Sequence, residues 1–213
     1  PTSKKEEVLC SIVCMFFNRL PKRRRFYVQI AVYYEALCPH SRSFIVHQLA
    51  PVWHEFQGQV KVKLVPYGIG TRDNVDDKWQ FECHHGPNEC ALNKIHACIL
   101  KSRAFSDTEK MEMVICLMNQ TNIEQQSHDY FLSRNSSGNS EITMGETACA
   151  TGPTGDELLA ANGDETDAVQ EPVFFVPLVV LNEVFSQENT DESLKDLKAV
   201  VCRVAARKPA ACT

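Results

Sequence analysis

What this chain lacks excludes several classes of protein. No apolar run is long enough to cross a bilayer as a helix: the N-terminal run over residues 8–17 stops short of the roughly 20 residues that a span needs. Charge of one sign is also missing. There are 22 Lys and Arg against 27 Asp and Glu, and a net charge of −5 is too mild to suggest nucleic acid as a partner. No internal repeat is visible, which sets solenoids and propellers aside. What remains is a chain of 213 residues, enough for one domain of ordinary size with a sizeable core.

Cysteine, by contrast, is plentiful. Ten in a chain of this length point to an oxidising route such as the secretory pathway. The sequons at Asn119-Gln120-Thr121 and Asn135-Ser136-Ser137 agree with export. The chain begins at Pro1 rather than Met, so the start of translation is expected to lie upstream. Lys4-Lys5 followed by the apolar run resembles a signal-peptide core, although the basic cluster Lys22-Arg23-Arg24-Arg25 just after it is unusual for a cleaved signal. Residues 1–25 are therefore read as an N-terminal segment, a signal remnant or a disordered tail, and Cys10 and Cys14 are left out of the disulfide argument.

The hydrophobic period switches along the chain. Phe26, Val28, Ile30 and Val32 alternate with their neighbours, which predicts a strand. Ile45, Leu49, Val52 and Phe56 then fall on one helical stripe, with Pro51 expected to kink the helix. Val60, Val62 and Leu64 alternate with Lys61 and Lys63, predicting a second strand that ends at Pro66-Tyr67-Gly68. Strand, helix, strand in this order is a βαβ unit with parallel strands. Near the end, 176–181 reads as a strand, Asn182-Glu183 as a turn, Val184-Phe185 as its short partner, and Leu194, Leu197, Val201 and Val204 as an amphipathic helix. That order belongs to an α/β, thioredoxin-like fold over 26–212. Between the halves, about 76–171 reads as an insertion of helices: 89–101, 108–118 opened by a capping box at Ser106 and Glu109, and a short one over 155–161.

Cys38 stands where the first strand gives way to the first helix, in Tyr34-Glu35-Ala36-Leu37-Cys38-Pro39-His40-Ser41. Pro39 suits the first helical position, where its missing N–H costs nothing. A thiolate at a helix N-terminus faces unpaired N–H groups and the positive end of the macrodipole, and both favour the charged sulfur. His40, when protonated, would add to that. In a dithiol enzyme a second cysteine, three residues on, resolves the mixed disulfide. Here that place is taken by Ser41, whose hydroxyl can donate to a thiolate but cannot resolve. Exchange through Cys38 alone, with an outside thiol such as glutathione or cysteine finishing the cycle, is the expectation. Pro177 is expected to be a cis-proline lying against this turn.

Cys83-His84-His85-Gly86-Pro87-Asn88-Glu89-Cys90-Ala91-Leu92-Asn93-Lys94-Ile95-His96-Ala97-Cys98 looks at first like a zinc site. It has no Cys-x-x-Cys pair and no histidine pair at ligand spacing, so no metal is expected and disulfide bonding is the reading. The segment fits Cys-x-His-Gly-x-x-Glu-Cys-x-x-Asn-x-x-x-x-Cys, and with it the chain resembles the gamma-interferon-inducible lysosomal thiol reductase family. The resemblance extends to Tyr34–Pro39, to Leu64-Val65-Pro66-Tyr67-Gly68, to Cys149, to Val176-Pro177 and to Cys202 and Cys212.

The resemblance implies a thioredoxin-like core with a disulfide-stapled helical insertion, reduction of protein disulfides, and a glycoprotein of lysosomes or the extracellular space. Cys38 matches the family's attacking cysteine, and Ser41 departs from its resolving one. Cys202 and Cys212 are expected to pair as a C-terminal clasp. Cys83, Cys90, Cys98, Cys116 and Cys149 are the other candidates; they are five, so one is left over, and their connectivity stays open. No bound cofactor and no membrane insertion are expected, and the sequence does not address the oligomeric state. The alternative to an exchange enzyme is a catalytically impaired relative that binds or traps cysteine-containing polypeptides.

Overall fold

A computed structural model of the chain describes residues 28–120 and 144–212. The segment 1–25, Cys10, Cys14 and the sequon at Asn135 lie outside them.

The main sheet has four strands, in the spatial order β2 (Val60–Pro66), β1 (Val28–Tyr34), β5 (Leu178–Leu181), β6 (Val184–Phe185). Strand β1, Val28–Tyr34, buries Val28, Ile30 and Val32 and then both faces of its last residues. Strand β2, Val60–Pro66, runs parallel to it from Val28 opposite Val60 to Tyr34 opposite Pro66. The crossover between them is helix α1, in three consecutive segments: Pro39–Phe44, a π-helical turn Ile45–Leu49, and Ala50–Glu55. The expected stripe of Ile45, Leu49, Val52 and Phe56 is buried. Pro51 lies just past the π turn, so the wider turn takes up the hydrogen bond that proline cannot make and the helix continues.

Strand β5, Leu178–Leu181, pairs antiparallel with β1, Val32 standing opposite Val179. Asn182 and Glu183 both have positive φ, the geometry of a two-residue hairpin turn, and lead into β6, Val184–Phe185. Helix α6, Gln187–Val204, closes the core with Leu197, Val200 and Val201. Cys202 at its end is bonded to Cys212.

The intervening chain opens on an element absent from the sequence reading. Strands β3, Gly70–Val75, and β4, Lys78–Cys83, form a separate antiparallel hairpin turned at Asp76-Asp77. Helix α2, Pro87–Lys101, follows and is buried on most of its surface. It packs against β2, β4 and the other helices of this region. These are α3, Asp107–Met118, with the expected capping box; α4, Met144–Thr151; and α5, Pro153–Val169. Helix α5 is much longer than the 155–161 expected from its apolar residues. Its acidic second half is held by partners elsewhere: Arg72 bonds Asp164 at 2.6 Å and Asp167 at 2.7 Å, and Glu165 takes the Tyr33 hydroxyl at 2.9 Å and Lys63 at 2.5 Å. Two more disulfides staple the region, Cys83–Cys90 and Cys98–Cys149, which leaves Cys116 free and exposed on α3.

Candidate functional site

Cys38 is the N-cap of α1, with extended backbone at φ −62° and ψ 121°, and Pro39 takes the first helical position. No side chain caps this end, so the helix directs its first-turn N–H groups and the positive end of its dipole towards the sulfur. The thiol is free and 5% exposed, and donates to the Val176 carbonyl at 3.8 Å. Val176-Pro177 is a cis peptide bond, with Pro177 buried at the entry to β5. The crossing of β1 and β5 thus brings together Cys38 and Pro177, which are far apart in sequence. His40 projects to the surface, its ring 5.4 Å from that of Phe175. Phe174, next to Phe175 in the chain, is 76% exposed.

Ser41 is fully buried, and its hydroxyl oxygen accepts the Glu35 N–H at 3.3 Å. The hydroxyl therefore braces the loop that leads to Cys38 and is not bonded to the sulfur. Asn93 of α2 braces the same loop from the other side. Its Oδ1 accepts the Ala36 N–H at 3.0 Å and its Nδ2 donates to the Tyr67 carbonyl at 3.1 Å. Arg42 ties the first turn of α1 to the end of α3, donating to the Met118 and Gln120 carbonyls.

Next to this loop two carboxylates, Glu35 and Glu89, are buried together. Glu89 accepts the His85 N–H at 3.0 Å, and its other oxygen lies 2.7 Å from His85 Nδ1. Burial, and then the charge of Glu89, push Glu35 up to about 7, against the lowering effects of the Ile69 N–H and the two histidines. Deeper in α2, burial holds His96 down to about 3, with the charge of Arg42 adding to the effect. Its Nδ1 is 2.9 Å from the Tyr34 hydroxyl.

A helix-capping cysteine facing a cis-proline on the adjoining strand defines a thiol-exchange protein of thioredoxin fold, and comparison with solved structures agrees on the fold. The DsbA of Chlamydia trachomatis superposes with a TM-score of 0.57 at 13% identity, over 84% of this chain and 87% of that one. Reduced DsbA1 of Neisseria meningitidis gives 0.54 at 10% identity, over 86% of each chain. The family model described as gamma interferon inducible lysosomal thiol reductase matches residues 29–132. The gamma-interferon-inducible lysosomal thiol reductase of Mus musculus is 32% identical over 195 residues, 87% of this chain and 72% of that protein. GILT-like protein 1 of Drosophila melanogaster is 30% identical over 197 residues, covering 87% and 78%. The chain belongs to the gamma-interferon-inducible lysosomal thiol reductase family.

Of the residues singled out from the sequence, Cys38, His40, Ser41 and Pro177 converge on one place, and Asn119 lies exposed at the C-cap of α3. The seven candidate cysteines form three bridges with Cys116 over. Sequence reading overlooked Glu35, Asn93 and His96 as site-shaping residues. Asn93 and Glu89 were in view as letters of the motif, but nothing in the letters says that both point inwards, one to the loop and one to a histidine.

Proposed function

We propose that this protein is a thiol–disulfide oxidoreductase that acts on protein disulfides through Cys38 alone. The Cys38 thiolate attacks one sulfur of a substrate disulfide. That bond breaks, a Cys38–substrate disulfide forms, and the other substrate sulfur leaves as a thiolate that takes up a proton. An external thiolate, glutathione or cysteine, then attacks Cys38 Sγ and frees the second substrate sulfur. A second external thiol regenerates Cys38, so two external thiols end as one disulfide and the substrate gains two thiols.

The observation that carries this reading is the pairing of Cys38 with Ser41. The sulfur sits at the helix mouth beside Pro177, and the position that would resolve the adduct holds a hydroxyl already engaged by Glu35 N–H. The same observation supports a second reading, a protein that holds clients as long-lived adducts when external thiol is scarce. The family and relatives that this protein resembles, described as lysosomal thiol reductases, support a lysosomal compartment for it, and no helix among the described residues is long and apolar enough to cross a membrane. Turnover of a small disulfide at pH 5 and 7, with and without glutathione, is the test. Glutathione-dependent turnover that disappears in Cys38→Ser is expected. Turnover that persists in Cys38→Ser, or none under any condition, would remove the enzymatic reading.

A further inference from the structure

The Glu35 side chain is fully buried, yet one of its oxygens has no hydrogen-bond partner. Oε1 accepts the Ile69 N–H at 2.6 Å, whereas Oε2 accepts nothing. Gly68, at φ +77°, is what admits the side chain, since a Cβ there would stand 2.0 Å from Glu35 Cγ. Held in this way, Oε2 is aimed at two ring nitrogens, His85 Nδ1 at 3.3 Å and His84 Nδ1 at 3.6 Å. The three donor atoms all lie within 4.8 Å of one another. A buried polar atom left without a partner is costly, more so when charged, so a cation completing this site would be stabilising.

We propose that Glu35, His84 and His85 form a binding site for a divalent cation of the Zn2+ type. The spacing is favourable: tetrahedral zinc, with bonds of about 2.0–2.1 Å, sets its ligand atoms roughly 3.3 Å apart. The two separations from Glu35 Oε2 already approximate that edge. Two imidazoles and one carboxylate form a donor set that suits zinc and leaves a fourth position open, and the His84 side chain, 55% exposed, gives the site access to solvent. The Cys83–Cys90 disulfide brackets both histidines in a short loop, which limits the freedom they would lose on binding.

Glu89 supports the site from behind. Without metal, His85 Nδ1 and Glu89 Oε2 lie 2.7 Å apart and share a hydrogen; binding through Nδ1 requires the neutral tautomer with its hydrogen on Nε2, so the shared hydrogen leaves Nδ1 and exchange with solvent places one on Nε2. Glu89 goes on holding the His85 backbone N–H, and the two buried carboxylates together balance the charge of a dication. No cysteine is among the ligands, so the inference stands apart from the chemistry of Cys38. A bound ion would pin the end of β1 to the start of α2, three residues ahead of the reactive sulfur.

The test titrates Zn2+ alone, calorimetrically and at neutral pH, into the full disulfide-intact chain with every free thiol blocked by iodoacetamide. Blocking matters because Cys38 and Cys116 would otherwise compete for the metal. One equivalent is expected, and Co2+ in its place should give the visible absorption bands of a tetrahedral site. Glu35→Gln and His84→Ala should each weaken binding about tenfold or more. His84 is exposed, so its variant tests the site without disturbing the core, and circular dichroism checks that it has not. No saturable binding to the blocked wild-type protein, or equal affinity in wild type and His84→Ala, overturns the assignment.

Discussion

Ser41 and Asn93 act on the same few backbone atoms. Ser41 accepts from Glu35 N–H and Asn93 from Ala36 N–H, so the loop before Cys38 is held from two sides. Replacing Ser41 by Cys changes little in volume and supplies a resolving sulfur within the first turn. Mixed disulfides formed by the wild type should therefore outlast those of Ser41→Cys, read as adduct lifetimes on non-reducing gels; equal lifetimes would count against the monothiol account. Asn93→Ala strips a partner from two buried backbone groups, Ala36 N–H and Tyr67 C=O. A loss of roughly 2–4 kcal/mol is expected from urea unfolding, with slower exchange because the loop loses its brace. The positions of Cys38 and Ser41 were legible in the sequence because both lie at a strand–helix junction, and Pro177 because it stands at the start of an apolar strand. The inward turn of Glu35 was not. A carboxylate just after a strand normally faces water, and only Gly68, across the sheet, makes room for this one.

Among the elements, the staples differ in what they constrain. Cys98–Cys149 joins α2 to α4 across 51 residues, whereas Cys202–Cys212 closes a loop of 10. In the chain-entropy account, removing the first costs about 4 kcal/mol and the second about 3 kcal/mol. Paired Cys→Ala variants compared by urea unfolding should rank in that order; the reverse ranking would show that residual structure in the unfolded chain dominates. The main sheet, α1 and α6 could be read from sequence because a half-buried element repeats its apolar residues at a fixed period. The hairpin β3–β4 was not read: β3 has a single apolar residue beyond its glycine, and although Trp79, Phe81 and Cys83 alternate with Lys78, Gln80 and Glu82 in β4, its partner strand offers no matching pattern. The acidic half of α5 was missed for a related reason. Asp164, Glu165 and Asp167 read as solvent-facing until Arg72, Lys63 and Tyr33 are brought over from other elements.

For the molecule as a whole, acidity acts in both directions: Glu35, raised to about 7, binds its proton more tightly folded than unfolded and gains stability on acidification, whereas His96 loses it. The folded value of His96 is depressed to about 3 from 6.5, so below 6.5 the unfolded chain binds a proton that the folded chain refuses. The contribution is complete above pH 6.5 and is lost progressively as pH falls towards 3. Between pH 7 and 5 this amounts to about 2 kcal/mol. Because Glu35 acts alike in both proteins, the change in urea unfolding free energy from pH 7 to pH 5 should be less favourable in the wild type than in His96→Gln by that amount; equal changes would assign the effect to other groups. Three disulfides offset such a loss in a protein proposed for acidic compartments, which makes the staples and the buried histidine parts of one compromise.

Because Asn93 reaches from α2 into the turn that presents Cys38, the inserted region is a keel rather than an ornament. The polypeptide cannot be pared down to a minimal thioredoxin by excising what lies between β2 and β5. Such a deletion would set the nucleophile adrift even though every residue of the surrounding sheet remained.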